Sequence, residues 1–299
     1  MKAIVMTRAG SADGLQLQDV EKPTPRGDEV LIRVHAATVT AGDVVLRKLP
    51  TVLMLPLWLF GMRRKKTPGH ELAGVVEAVG SNVHLFKVGD ALFGTTTGLT
   101  VGANAEYVCL PEARANGVLA LKPDNISFEE AAALPVGGMT ALQILRKANI
   151  QSGQRVLIYG TSGSVGTYAV QLAKYFGAHV TGVCSTANVE LVRALGADEV
   201  IDYTRKDVTR SRQTYDVIFD AVGKLDVQAK RVLKPNGVYL SVKTSTSEKT
   251  EYLHFLKELV EQGVIVPVID RIFPLAQTPD AHRYVEDGHK RGNVVITVT

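Results

Sequence analysis

The chain has 299 residues, 45% of them apolar and 21% charged, with a formal net charge of +4. That is the balance of a soluble globular protein with room for about two domains of ordinary size. So small a charge points to no particular partner. The one basic cluster, Arg63-Arg64-Lys65-Lys66, lacks aromatic interleaving and reads as a solvated loop, so no nucleic acid is expected. Cys109 and Cys184 are the only cysteines and form no CxxC pair, which excludes a zinc ribbon and a disulfide framework and fits a reducing cytoplasm.

The opening MKAIVMTRAG has no secretory apolar core and reads as a strand. Further strands are predicted at Val30 to Val34, Val75 to Val79 and Ala105 to Val108, each after turn residues, which suggests a small antiparallel barrel. The apolar run Leu49 to Phe60 is broken by Pro50 and Pro56 and is shorter than the roughly 20 residues of a membrane span, so no transmembrane segment is predicted. At Ser127-Phe128-Glu129-Glu130 the texture changes: this is a capping box, with a helix rich in alanine behind it.

After Gly153 strands and helices alternate. Strands are predicted at Arg155 to Tyr159, His179 to Cys184, Glu199 to Asp202, Asp216 to Asp220 and Val238 to Val242. Helices are predicted at Val165 to Phe176 and Val189 to Leu195, with Gly177 and Gly196 as C-caps. Alternation of this kind means a doubly wound parallel sheet. Such a sheet has six strands, and only five are visible here. The polar stretch 243–248 leads straight into a helix at Tyr252 to Gln262, so the sixth strand is either Val264 to Val268 or absent. The ending Val294 to Val298 is a strand predicted to return to the first module.

Gly160-Thr161-Ser162-Gly163-Ser164-Val165-Gly166 lies between a strand and a helix, the arrangement that holds a pyrophosphate. Residues without a β-carbon let the backbone approach phosphate oxygens, and the first amides of the helix face the anion. The alternative reading is a turn that serves only the sheet. Ribose preference depends on the end of the second strand, where Cys184-Ser185-Thr186-Ala187-Asn188 contains no acid. Hydroxyls and an amide can accept a 2′-phosphate, so NADPH is favoured, with NADH as the alternative. Ser185 and Asn188 would also serve as helix caps.

These residues resemble the medium-chain dehydrogenase/reductase superfamily, on its zinc-free quinone oxidoreductase branch. The resemblance is carried by Pro68-Gly69-His70-Glu71-Leu72-Ala73-Gly74, Lys87-Val88-Gly89-Asp90, Thr161 to Gly166, Gly196 to Tyr203, Phe219-Asp220-Ala221-Val222-Gly223 and Gly292-Asn293-Val294. It implies an α/β protein: a GroES-like β-barrel domain (1–121 and 267–299) plus a Rossmann doubly wound parallel sheet (122–266) that lacks one strand if the short 243–248 connection is real. It further implies that Thr140, Tyr203, Asp220, Ala221, Val222, Gly292 and Asn293 join Gly160 to Gly166, Cys184, Ser185 and Asn188 around the cofactor. Thr40 stands where many relatives have an Asn facing the nicotinamide, followed by Asp43. A homodimer is also implied, weakened if the strand that pairs across it is missing.

In the zinc-dependent branch, the residue matching His70 is a metal ligand supported by the following Glu. A catalytic zinc needs three protein ligands. The stretches where the others belong read Thr38-Val39-Thr40-Ala41-Gly42-Asp43 and Leu134-Pro135-Val136-Gly137, without a ligand of the expected kind. No zinc is therefore expected. Without a metal to acidify an alcohol, hydride transfer to a quinone or an α,β-unsaturated carbonyl is the easier reaction. Thr40, Asp43 and His70 are the polar candidates for catalysis. The acceptor pocket is expected between the domains, with Leu53 to Phe60 as an apolar lid, and core packing or a surface contact as the other readings of that segment. A zinc-dependent alcohol dehydrogenase and a non-catalytic NADPH- or RNA-binding relative are the alternative functions.

Overall fold

A computed structural model of the chain describes residues 1–49, 67–96, 101–113, 117–210, 213–225 and 227–298. The apolar lid segment 53–60 and the basic cluster 63–66 lie outside the described residues. In chain order the elements begin with β1 (Lys2–Met6), β2 (Leu15–Asp19), β3 (Glu29–Thr38), α1 (Ala41–Lys48), β4 (Glu71–Val79), β5 (Ala91–Thr95), β6 (Tyr107–Pro111), β7 (Leu119–Leu121) and α2 (Phe128–Ala133). Next come α3 (Pro135–Ala148), β8 (Arg155–Tyr159), α4 (Ser164–Tyr175), β9 (His179–Cys184), α5 (Val189–Ala194), β10 (Glu199–Asp202), β11 (Tyr215–Asp220) and β12 (Leu233–Ser241). The chain closes with α6 (Thr250–Glu261), β13 (Ile269–Pro274), α7 (Thr278–Glu286) and β14 (Asn293–Thr297). It divides into two compact units: Met1–Pro135 with Glu248–Lys257 and Ile269–Thr299, and Val136–Ser247 with Glu258–Val268.

The first unit is organised on β3. This strand pairs antiparallel with β4, β6 and β14, and it alternates Val30, Ile32 and Val34 into the core. Val295 stands opposite Thr38 and Thr297 opposite Ala36, so the last strand does return to the first module. One core cluster therefore joins Ile4, Val30, Ile32, Val76, Leu92 and Leu110 to Val294 and Ile296 from the other end of the chain. Each such side chain contributes roughly 1.5–3 kcal/mol by leaving water. The capping box at the start of α2 forms as predicted: Ser127 Oγ accepts from Glu130 N–H at 3.2 Å, and the Glu130 carboxylate accepts from Ser127 N–H at 2.8 Å.

In the second unit β10, β9, β8, β11 and β12 lie in that order in one parallel sheet, over a core that includes Leu157, Val183, Tyr215, Ile218 and Val232. Residues 264–268 are not a strand, so β12 ends the sheet among the described residues. No helix of the described chain is long and apolar enough to cross a membrane.

His282, on α7 in the first unit, is fully buried, and neither ring nitrogen has a hydrogen-bond partner. Burial pushes it down to about 4; nearby Asp43 opposes the shift and Arg47 adds to it. The folded chain thus keeps the ring neutral, whereas the unfolded chain takes up a proton as pH falls through about 6.5. Stability should therefore drop by about 3 kcal/mol between pH 6.5 and pH 4 from this group alone. In urea unfolding at pH 7.5 and 4.5, His282→Leu is expected to show a smaller acid loss than the wild type. An equal loss would show that His282 does not set the acid limit.

Candidate cofactor and active site

The glycine turn is shaped by one close approach. A β-carbon on Gly166 would lie 2.1 Å from the Gly160 carbonyl oxygen, and Gly160 itself has φ +80°. Both positions therefore require glycine for the fold of the turn itself. Thr161 is fully buried and donates its hydroxyl to the Val183 carbonyl at 3.0 Å, which ties the turn to the end of β9. Gly163 is different. Its φ is −81°, and a β-carbon there would meet nothing nearer than 3.6 Å. The protein's own packing does not demand a glycine at this N-cap, and no side chain caps α4 through it. Bare backbone at the start of a helix suits the close approach of a phosphate, so these residues fit a dinucleotide.

Around the turn the second unit gathers most of the predicted cofactor residues. Asn188 donates from Nδ2 to Ser162 Oγ and to Ser185 Oγ, both at 3.1 Å, while its buried Oδ1 has no partner. Its donors are thus committed to the two serines, and what it still offers is an acceptor. Cys184 is buried at the end of β9. Asp220 accepts from the N–H groups of Val222, Gly223 and Leu225 and from the Tyr239 hydroxyl, so its carboxylate organises the loop after β11. That loop comes close to the turn: a β-carbon on Gly160 would lie 2.3 Å from Val222 Cγ2. Thr140 is half-buried on α3. Gly137, one turn earlier, lets α3 pack on α4, since its β-carbon would lie 2.5 Å from Ser164 Oγ. Tyr203 is half-exposed, its ring 6.3 Å from that of Tyr159.

Strand pairing adds two groups that the local sequence of 184–188 does not contain. Parallel pairing sets Asp202 opposite Cys184, so an acid does stand at the end of the second strand, contributed by the strand beside it. The Thr186 hydroxyl, followed by that of Thr204, holds this carboxyl below its ordinary value, and Arg205 Nε lies 3.5 Å from it. A cation is therefore present beside the end of β9, although the pentapeptide 184–188 contains none.

The catalytic candidates sit in the first unit, as do Gly292 and Asn293. Thr40 caps α1: its Oγ1 accepts from Asp43 N–H at 3.1 Å, and the Asp43 carboxylate accepts from Thr40 N–H at 2.9 Å. Both side chains are thus accounted for by the helix start. Glu71 is buried and accepts from the Thr38 hydroxyl. Asn293 is buried at the start of β14, and the Gly292 carbonyl accepts from Lys290 Nζ. Burial pushes Lys290 down to about 8, against the pull of Glu71 and Asp270. His70 faces another way from Glu71: its Nε2 lies 2.6 Å from Glu248 Oε1. Glu248, 178 positions further along, was not singled out in the sequence. Among the described residues no group of three His, Cys, Asp or Glu side chains could hold a metal ion.

Residues 26–122 match the family model for the alcohol dehydrogenase GroES-like domain, and residues 164–275 match that for the zinc-binding dehydrogenase. The chain is 34% identical to the chloroplastic NADPH-dependent alkenal/one oxidoreductase of Arabidopsis thaliana, over 99% of its own length and 79% of the relative's. It is 36% identical to the 2-methylene-furan-3-one reductase of Solanum lycopersicum, with the same coverage. A quinone oxidoreductase structure from Coxiella burnetii covers the whole chain with a TM-score of 0.89 at 31% identity, the chain covering 99% of it. The chain belongs to the medium-chain dehydrogenase/reductase superfamily, with a GroES-like and a Rossmann domain.

The two glycines of the turn should separate by experiment. Gly163→Ala is expected to keep the wild-type melting temperature and to weaken NADPH binding about tenfold or more, as read by cofactor fluorescence. Gly166→Ala should lower stability by about 1–3 kcal/mol through overpacking. A Gly163→Ala protein that binds NADPH normally would remove the phosphate from this turn. The thiols give a second check. Burial pushes Cys109 and Cys184 up to about 11. At pH 8 iodoacetamide should therefore label the native chain on the order of 100-fold more slowly than free cysteine.

Proposed function

We propose that the chain reduces a conjugated carbonyl, an α,β-unsaturated ketone or aldehyde or a quinone, using NADPH and no metal. What carries this reading is, within the second unit, a turn at Gly163 suited to a phosphate and, within the first, a His70 whose Nε2 is engaged by the chain's own carboxylate. The named activities of the Arabidopsis, tomato and Coxiella relatives support the acceptor class. The bound nicotinamide would supply the hydride. The protein's part is to orient the cofactor through Gly160 to Gly166, Thr140 and the 220–222 loop, and to keep water from the transfer. Of the three catalytic candidates His70 is the one left for proton transfer, since Thr40 and Asp43 are spent on the cap of α1.

Zinc independence is supported by the donor chemistry: two of the side chains in the 38–43 stretch, Thr40 and Asp43, close a helix start, and 134–137 offers no ligand. The preference for NADPH is assigned to Tyr203 and to Arg205, whose cation stands beside the ionised Asp202 carboxylate. Among the described residues the sheet ends at β12, so the further strand that would pair across a homodimer is not present, which weakens the reading of a dimer built through it.

Oxidation of NADPH followed with a panel of enones, quinones and simple aldehydes tests the function. Turnover of conjugated acceptors at less than about 0.1 zinc per chain is expected; one tightly held zinc and turnover of simple alcohols would overturn it. Arg205→Ala should raise KM for NADPH about tenfold and leave that for NADH unchanged. Equal effects on both cofactors would take the 2′-phosphate away from Arg205.

A further inference from the structure

Glu248 stands two residues ahead of α6, in the short connection that follows β12. Both of its carboxylate oxygens are engaged within the first unit. Oε1 lies 2.6 Å from His70 Nε2, and Oε2 accepts from the Thr95 hydroxyl at 2.7 Å. Thr95 Oγ1 in turn accepts from Val118 N–H at 3.1 Å, so its single hydroxyl proton is directed at the carboxylate. The backbone of His70 is fixed as well, because its carbonyl accepts from Thr96 N–H at 2.7 Å. His70 and Glu248 side chains are 24% and 26% exposed, enclosed enough for the pair to hold its geometry and open enough to exchange protons with solvent.

A carboxylate on one imidazole nitrogen places the proton of the neutral ring there and leaves the other nitrogen to give and take a proton. We propose that Glu248 is the positioning residue of His70: it holds the Nε2–H form and makes Nδ1 the atom that delivers the proton in the reduction. The inference rests on the reading of the activity given above. The step balances. Hydride arrives at the β-carbon of the enone, the carbon–carbon π bond breaks, and its electron pair moves into an enolate. The Nδ1–H bond of the doubly protonated ring then breaks, and the proton goes to the α-carbon. The neutral ring keeps Nε2–H on Glu248 and takes up at Nδ1 the solvent proton that the overall reduction consumes. A purely structural role would be a latch that ties residue 248 to Thr95.

The test uses the full chain with Glu248→Ala, Glu248→Gln, Glu248→Asp, His70→Ala and the double variant Glu248→Ala/His70→Ala, all checked for wild-type melting. Glu248→Ala and Glu248→Gln are expected to lose about 10- to 100-fold in kcat on an enone, with KM for acceptor and NADPH within about twofold of the wild type. Glu248→Asp should recover part of the loss, and the double variant should be no slower than His70→Ala alone. At alkaline pH, where the ring carries a single proton, long-range 15N NMR of histidine-labelled protein should report His70 as the Nε2–H tautomer, and as a tautomer mixture in Glu248→Ala. Unchanged kcat in Glu248→Ala, additive losses in the double variant, or an Nδ1–H ring in the wild type would overturn the proposal. A wild type that reduces no enone would instead sink the activity and, with it, the proton-transfer role, while the tautomer still reports whether Glu248 orients the ring.

Discussion

The approach of Gly166 to the carbonyl of Gly160 is the constraint on which the cofactor unit depends. No side chain fits in that gap, so strand β8 can turn directly into helix α4 only with glycine at this position. Three consequences follow from the tight turn. Thr161 is buried against Val183, the neighbouring loop reaches Gly160 through Val222, and Gly163 is left as bare backbone at the head of α4. The first two are internal packing. Of these glycines Gly163 has no internal packing reason to be glycine, and the phosphate contact proposed above would give it one.

In the other unit the corresponding constraint is electrostatic. His70 lies on the entry to β4 with a carboxylate on its Nε2, while the adjacent Glu71 turns inward to Thr38. An imidazole bound in this way is suited to moving a proton to a carbanion that is already delocalised. It is poorly suited to ionising an alcohol, which is the task that a bound zinc performs by acidifying the oxygen. Charge placement at His70 and the acceptor class are thus one argument, and the named activities of the relatives agree with it.

Local signals in the sequence reached a long way. Ser127 and Glu130 predict the start of α2 down to the two reciprocal hydrogen bonds, and the strand predicted at Val30 to Val34 falls within β3. Among the described residues the parallel sheet has five strands, because the connection after β12 contains no run of apolar residues and 264–268 is irregular. What was illegible is what pairing creates. No acid lies within 184–188, yet the register of β10 against β9 brings Asp202 and then Arg205 to the same place. Thr40 and Asp43 also close a capping box, which uses the same residue types as a polar site. Glu248 meets His70 across 178 residues, and no spacing rule carries that distance. The Arabidopsis alignment extends to 325 positions against the 299 residues here, so that relative carries residues with no counterpart in this chain.

The central claim, conjugate reduction without a metal, is tested most directly by following the hydride itself. NADPH deuterated at C4 of the nicotinamide would be mixed with an enone and a stoichiometric amount of the chain, and the product read by NMR. The account predicts a saturated ketone or aldehyde with one deuterium at the β-carbon and the α-proton drawn from solvent. Deuterium at the carbonyl carbon of an allylic alcohol would contradict it and place the chain with the alcohol dehydrogenases.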